Sequence, residues 1–236
     1  MKRKWVIIGS ILAALIILLT GVHGLVERRA SQNWTTPLAG RVIVVDAGHG
    51  GMDGGAVGGT VVEKTITLRI ARDLRDYLQE TGAIVMMTRD SDDDLSDDSY
   101  NGRHKTQDLL RRAALIKKSQ PDLFISIHLN AIPNGSLRGA QTFYYPNSVK
   151  NERLAMLIQD SIEQNLGNTN RRAKAIGFVY LLKKAPAPAA LVEVGFLSNP
   201  SERTLLVQHS YQQSAAMAIS QGIMRYFSNE KVKTGD

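Results

Sequence analysis

Four side chains in this 236-residue sequence have the types and settings that metal-assisted or acid–base chemistry needs: His49, Glu63, His128 and Glu193. His49 stands in DAGHGG, directly after a β-branched run. The glycines on both sides let the backbone turn tightly and leave the ring unobstructed. The other use of such a loop, a phosphate cradle, fails on spacing, because Glu63 stands where a Walker A loop needs its second glycine. Glu63 itself opens an amphipathic stretch, where the helix dipole would stabilise a carboxylate in any case. His128 ends the apolar run DLFISIH, and taken alone it reads equally well as a hydrogen-bonded core residue. Glu193 is the sharpest anomaly. It interrupts ALVEVGF, and a carboxylate in a buried run is costly unless it is paired, metal-bound or protonated.

Two imidazoles and one carboxylate make the His₂Glu set of catalytic zinc sites, which keep a fourth position open for water. A further glutamate beside that water can take its proton. The chain has no cysteine, so thiolate ligands and disulfides are excluded. It has no His-Glu-x-x-His helix, so the ligands must come from separate elements, and no Gly-x-Ser-x-Gly elbow points to a serine hydrolase. Asp90, Asp92, Asp93, Asp94, Asp97 and Asp98 crowd one stretch but lack the glycine and terminal glutamate of a calcium loop. They read as a solvated loop. His104 lies between Arg103 and Lys105, where the cations oppose a metal, and His23 and His209 have no supporting partners in sequence.

The elements that must position these residues follow from periodicity. Residues 41–46 read as a buried strand and 48–59 as a glycine-rich loop. Residues 63–81 read as a helix, with Ile66, Ile70, Leu74, Tyr77 and Leu78 on one face and Gly82 as its cap. Residues 83–88, 122–128, 139–145, 178–182 and 189–194 read as further strands. Residues 106–119, 148–166 and 210–227 read as helices, and 89–105 as a polar loop. The alternation predicts one α/β domain, a twisted, mostly parallel sheet of about six strands with helices on both faces. Sites in such folds gather beyond the C-terminal ends of the strands, where His49 and His128 fall.

A hydrophobic helix is expected ahead of this domain. Val6–Val22 runs without a charge behind Lys2, Arg3 and Lys4, about 17 residues and near the lower limit for a spanning helix. A cleaved signal peptide is the rival, against the poor cleavage site at Thr20-Gly21-Val22-His23-Gly24. The positive-inside rule places the rest of the chain outside the membrane. The expected organisation is a membrane anchor or signal segment at 1–29, a linker at 30–40, a catalytic domain at 41–228 and a polar tail at 229–236. The net charge is +7, of which residues 1–29 carry four, leaving three on the remainder. A mildly basic domain suits an anionic polymer or headgroups. The absence of a Lys/Arg stripe interleaved with aromatics argues against nucleic acid.

The segments VVDAGHGGMDGGAVGG, the Glu63-Lys64 that follows, SIHLNA and LVEVGFLSNP resemble the signatures of the zinc-dependent N-acetylmuramoyl-L-alanine amidases, the amidase-3 family. The resemblance runs from residue 41 to residue 227, and Thr88-Arg89-Asp90, Arg112 and Pro188 agree with it. It implies that His49, Glu63 and His128 hold Zn2+ and that Glu193 is the catalytic residue. It also implies a peptidoglycan substrate, cut between the lactyl group of N-acetylmuramic acid and the L-alanine of the stem peptide. Asn130 and the glycine loop are expected to line the groove. No wall-binding repeat or inhibitory helix is evident. A short domain behind one hydrophobic segment is most similar to the spore-cortex, germination-specific members. That implies extracytoplasmic action at the forespore, a part in forming muramic δ-lactam, and a lipoprotein or accessory activator. The rival readings are a module that grips wall peptides without cutting them and a membrane-tethered scaffold. A polysaccharide deacetylase would show an Asp with His-x-x-x-His, which is absent.

Overall fold

The structure, a computed structural model, describes residues 20, 36–97 and 103–232. The expected N-terminal hydrophobic helix therefore lies outside the described residues, as does Asp98. Among the described residues no helix is long and apolar enough to cross a membrane. A compact unit begins at Pro37, within the stretch expected as linker. There Leu38 is fully buried, and its N–H donates to the Thr81 carbonyl at 3.1 Å.

The chain runs β1 (Val42–Ala47), a short β2–β3 hairpin (Val57–Gly58 and Val61–Val62), α1 (Glu63–Glu80), β4 (Ile84–Met87), α2 (His104–Lys118), β5 (Leu123–Asn130) and β6 (Gln141–Tyr144). It continues through α3 (Val149–Leu166), β7 (Lys174–Ala175), α4 (Tyr180–Lys184), β8 (Ala189–Phe196), α5 (Pro200–Leu206) and α6 (His209–Phe227). Six strands form one sheet in the order β4-β1-β5-β8-β6-β7. The first four are mutually parallel. β6 runs antiparallel to β8, and β7 follows β6.

Period-2 alternation sorts the strand residues onto two faces. Ile43, Val45, Ile125, Ile127, Val192 and Val194 point into the larger core, against Ile70 and Leu74 of α1, Leu154 and Ile158 of α3, and Ile219 and Ile223 of α6. Val44, Phe124 and Leu191 point the other way, into a smaller core with Ile116 of α2 and Leu181 and Leu182 of α4. The expected α/β sheet with helices on both faces is therefore present.

One expected strand is not. Residues 178–182 (FVYLL) have β-forming residue types, but Tyr180–Lys184 is a short helix. Leu181 and Leu182 are adjacent in sequence and both buried, which a strand facing one core does not allow, while Phe178 is 85% exposed. Helix α5 has no counterpart among the elements expected from periodicity. Its N-cap Asn199 accepts from the N–H groups of Ser201 and Glu202, and Pro200 follows at the first helical positions, where its missing N–H costs nothing.

Candidate active site

The site is assembled where β1, β5 and β8 end on the face of the smaller core. Register does most of the work. Asp46 pairs with Ser126, and His128 pairs with Glu193 on the next strand, so these side chains stand in adjacent rows on one face.

His49 lies just past β1 with φ 62, a left-handed conformation that is uncommon for a residue with a side chain. Two buried arginines hold this turn. Arg112 donates to the carbonyls of Ala47 at 2.8 Å and His49 at 2.6 Å, and pairs with Asp46 and Asp108 at 2.8 Å each. Arg89 donates to the carbonyls of Ala47 and Gly48, both at 3.0 Å. Asp46 also accepts from Thr88 at 2.7 Å and Ser126 at 2.6 Å. Burial favours its neutral form, but Arg112 and the Ser126 hydroxyl outweigh burial and hold its pKa below the usual carboxylate value.

The β2–β3 hairpin folds the chain back so that α1 begins, with Glu63, beneath the glycine loop. The Glu63 carboxylate is buried. It accepts from the N–H groups of Ala56 at 2.7 Å and Leu129 at 2.8 Å. Its two oxygens face the two rings, His49 Nε2 at 3.2 Å and His128 Nδ1 at 3.0 Å. Burial would raise its pKa, yet the hydrogen bonds and charges of His128 and His49 hold it far below the carboxylate range, so Glu63 is ionised. Two glycines make this packing possible. A Cβ on Gly48 would run into the His128 ring. One on Gly55, at φ 72, would lie 2.6 Å from both Glu63 Oε2 and His49 Cδ2.

Asp53 orients His49. Its Oδ2 accepts from His49 Nδ1 at 2.9 Å and from Lys105 Nζ at 3.1 Å, while its Oδ1 accepts from the Gly55 N–H at 3.1 Å. With Nδ1 held on Asp53, Nε2 is the ring atom turned toward Glu63 and the one placed to bind a metal. One donor atom from each of His49, Glu63 and His128 lies within 4.8 Å of the other two. Two imidazoles and an ionised carboxylate with converging donor atoms fit a zinc ion.

Glu193 stands beside this group. Its Oε2 is buried with no hydrogen-bond partner among the described residues. Burial pushes its pKa up to about 7, and the neighbouring Glu63 charge adds to that while His128 and His49 oppose it. For His128, burial favours the neutral ring, but the Glu63 hydrogen bond and the Glu193 charge win and raise its pKa.

These groups open into a cleft of about 440 Å³, with Lys105 of α2 and Phe178 and Tyr180 around α4 among its lining residues. The structure thus brings together all four residues singled out from sequence. Asn130, expected to line the groove, is not among the lining residues; its carbonyl instead accepts from the Leu197 N–H at 2.8 Å. The acidic stretch is largely exposed to solvent and also tethered by surface ion pairs. Asp90 pairs with Arg72 and Arg75, Asp92 with Lys64, and Asp97 with Arg111. Sequence reasoning missed Asp46, Asp53 and the structural part of Arg112. Asp46 carries the same signal as Glu193, an acid within a buried run.

The N-acetylmuramoyl-L-alanine amidase family matches residues 43–225. A germination-specific N-acetylmuramoyl-L-alanine amidase of Bacillus subtilis is 48% identical over 231 residues, covering 97% of both chains. The LytC amidase of the same organism is 33% identical over 86% of this chain and 38% of its own. Among solved structures, the CwlD amidase from Clostridioides difficile in complex with the GerS lipoprotein superposes with a TM-score of 0.78. It is 36% identical and covers 80% of this chain and 98% of its own.

Proposed function

Since the chain belongs to the N-acetylmuramoyl-L-alanine amidase family and is a peptidoglycan amidase, we propose that His49, Glu63 and His128 hold a zinc ion beside Glu193, which moves the protons of the reaction. The observation that carries this reading is Glu63, buried and ionised, with one oxygen on each imidazole. The imidazoles and the Ala56 and Leu129 N–H groups offset its buried charge, and a metal ion held between the two rings would offset it further.

The bond cut joins the lactyl carbonyl of N-acetylmuramic acid to the nitrogen of L-alanine. When bound, zinc supplies Lewis acidity, acidifying water and drawing charge from the carbonyl oxygen. Asp53 keeps the His49 lone pair directed inward, and Arg112 and Arg89 hold the loop that carries it. Glu193, whose buried Oε2 has no hydrogen-bond partner among the described residues, accepts a proton as water attacks the carbonyl carbon. It then delivers that proton to the alanine nitrogen as the C–N bond breaks, so the amine does not leave as an anion.

The likeness to a germination-specific amidase supports a place in spore-cortex maturation, with muramic δ-lactam formed downstream of the cut. The solved complex with a lipoprotein supports a lipoprotein activator for this chain as well. Residues 1–29 would then hold the enzyme outside the membrane, as an anchor or after cleavage as a signal. The test is digestion of cortex-type peptidoglycan by the purified protein, with chelator and with zinc restored. Release of stem peptides with a free L-alanine amine, lost on chelation and regained with zinc, is the expected result. Binding without release would overturn the reading in favour of a wall-gripping module.

A further inference from the structure

We propose that the end of the domain opposite the cleft is a docking surface for an anionic lipid bilayer. The parallel strands begin at this end and finish at the active site. The six residues of β1 alone set Arg41 about 20 Å from the glycine loop.

Several helix ends and loops converge here. Asp122, just before β5, accepts from the Val42 N–H. Arg41 lies over the Phe227 ring at the end of α6. Asn151, in the first turn of α3, accepts from the N–H of Ala189, the first residue of β8. Asn147, Ser148 and Lys150 line one shared hollow with Ala185–Pro188. These segments carry Lys117 and Lys118 at the end of α2, Lys150 at the start of α3, Lys183 and Lys184 at the end of α4, and Lys231 after α6. All six are exposed.

Two of the acids at the same end are paired, Asp122 with Arg41 at 3.2 Å and Glu230 with Arg225 at 2.7 Å; Glu152, which accepts from the neutral Tyr144 hydroxyl at 2.8 Å, and the exposed Glu80 subtract two charges. The six lysines have no ion pair among the described residues. Around the glycine loop the balance is reversed. Lys64 and Lys105 are each matched by an aspartate there, as is Arg111 on the outer side of α2.

Two observations select a bilayer over a soluble anionic polymer. Val149 and Ile84, both at this end, are 79% and 56% exposed, and apolar side chains among lysines suit a headgroup–acyl boundary. The chain also enters the domain here, at residues 37–41, directly after the sequence that contains the uncharged run Val6–Val22. A surface lysine near anionic lipid strengthens attachment by about fivefold. Docked this way, the domain turns its cleft away from the membrane, toward the wall.

The test uses the full chain in nanodiscs of zwitterionic lipid alone or with about one-third anionic lipid, labelled briefly with an amine-reactive reagent and read by mass spectrometry. On anionic discs, labelling of Lys117, Lys118, Lys150, Lys183, Lys184 and Lys231 should fall by on the order of fivefold. It should recover at about 1 M salt, where screening acts within roughly 3 Å. Lys64 and Lys105 should label equally on both discs. Replacing four of the lysines (K117E, K118E, K183E and K184E together) should abolish the protection left at Lys150 and Lys231. Equal labelling on the two kinds of disc would overturn the proposal. So would protection by a soluble polyanion with none on discs, which would assign the surface to a wall polymer.

Discussion

Glu193 and His128 stand in register across the β5–β8 pair, and the imidazole offsets part of the burial that lifts the Glu193 pKa to about 7. A base must be ionised to accept a proton, so kcat/KM of the wild type should fall on the acid side as Glu193 is protonated, at a pH that the positive charge of a bound metal sets below the metal-free value of about 7. Glu193→Gln should keep its zinc and lose turnover by about 10²–10⁴-fold. Metal analysis together with release of peptides from purified muropeptides checks both halves. Undiminished turnover would move the proton transfer to another group.

The same carboxyl makes a prediction about the metal-free protein. Its folded-state pKa is raised, so the folded protein holds this proton more tightly than the unfolded chain does. That contribution is fully present below about 4.5 and is lost as pH rises through about 7. In chelator, Glu193→Gln should therefore gain on the wild type by about 1–3 kcal/mol between those limits. Denaturant titrations at the two ends of the range measure the gap. A difference that does not change with pH would contradict the assignment.

Asp53 touches none of the candidate donor atoms and acts through the Nδ1 proton of His49. Asp53→Asn should weaken zinc binding by about 10–100-fold with the fold intact. Competition against a chromophoric chelator reads this directly, and an unchanged affinity would leave Asp53 with only a loop-closing part.

Arg112 is buried between Asp46 and Asp108 and also carries the carbonyls of Ala47 and His49. Arg112→Met strands two buried acids and should cost about 3–5 kcal/mol. Adding Asp46→Asn should return part of that loss, because one stranded charge is then gone. A double variant no more stable than Arg112→Met alone would show that Asp46 contributes nothing to the penalty.

Much of this arrangement is legible in the residue pattern alone. β-Branched runs mark β1, β5 and β8, apolar spacing marks α1 and α3, and two histidines at strand ends point to a common edge. The approach of Glu63 is not legible from spacing, because it depends on the two-residue strands β2 and β3 turning the chain beneath its own loop. The Arg112–Asp46 pair joins residues far apart in sequence, and nothing local to either announces the other. Residues 178–182 mislead because their side-chain types favour a strand, whereas adjacent Leu181 and Leu182 both need burial and a helical turn supplies it. Asp53, four residues from His49, offers a weak local cue, since a carboxylate that close to a ring on a tight turn has few other places to point.

β8 is hydrogen-bonded along both edges, to β5 on one side and to the antiparallel β6 on the other, where Gln141 lies opposite Glu193. A strand gripped on both flanks does not slide or tilt within a turnover. The shuttle of a proton from water to the departing nitrogen is then confined to rotation about the bonds of a single side chain, far faster than any shift of a sheet. Phe178 at the cleft rim, 85% exposed, has no such bracing on either side among the described residues.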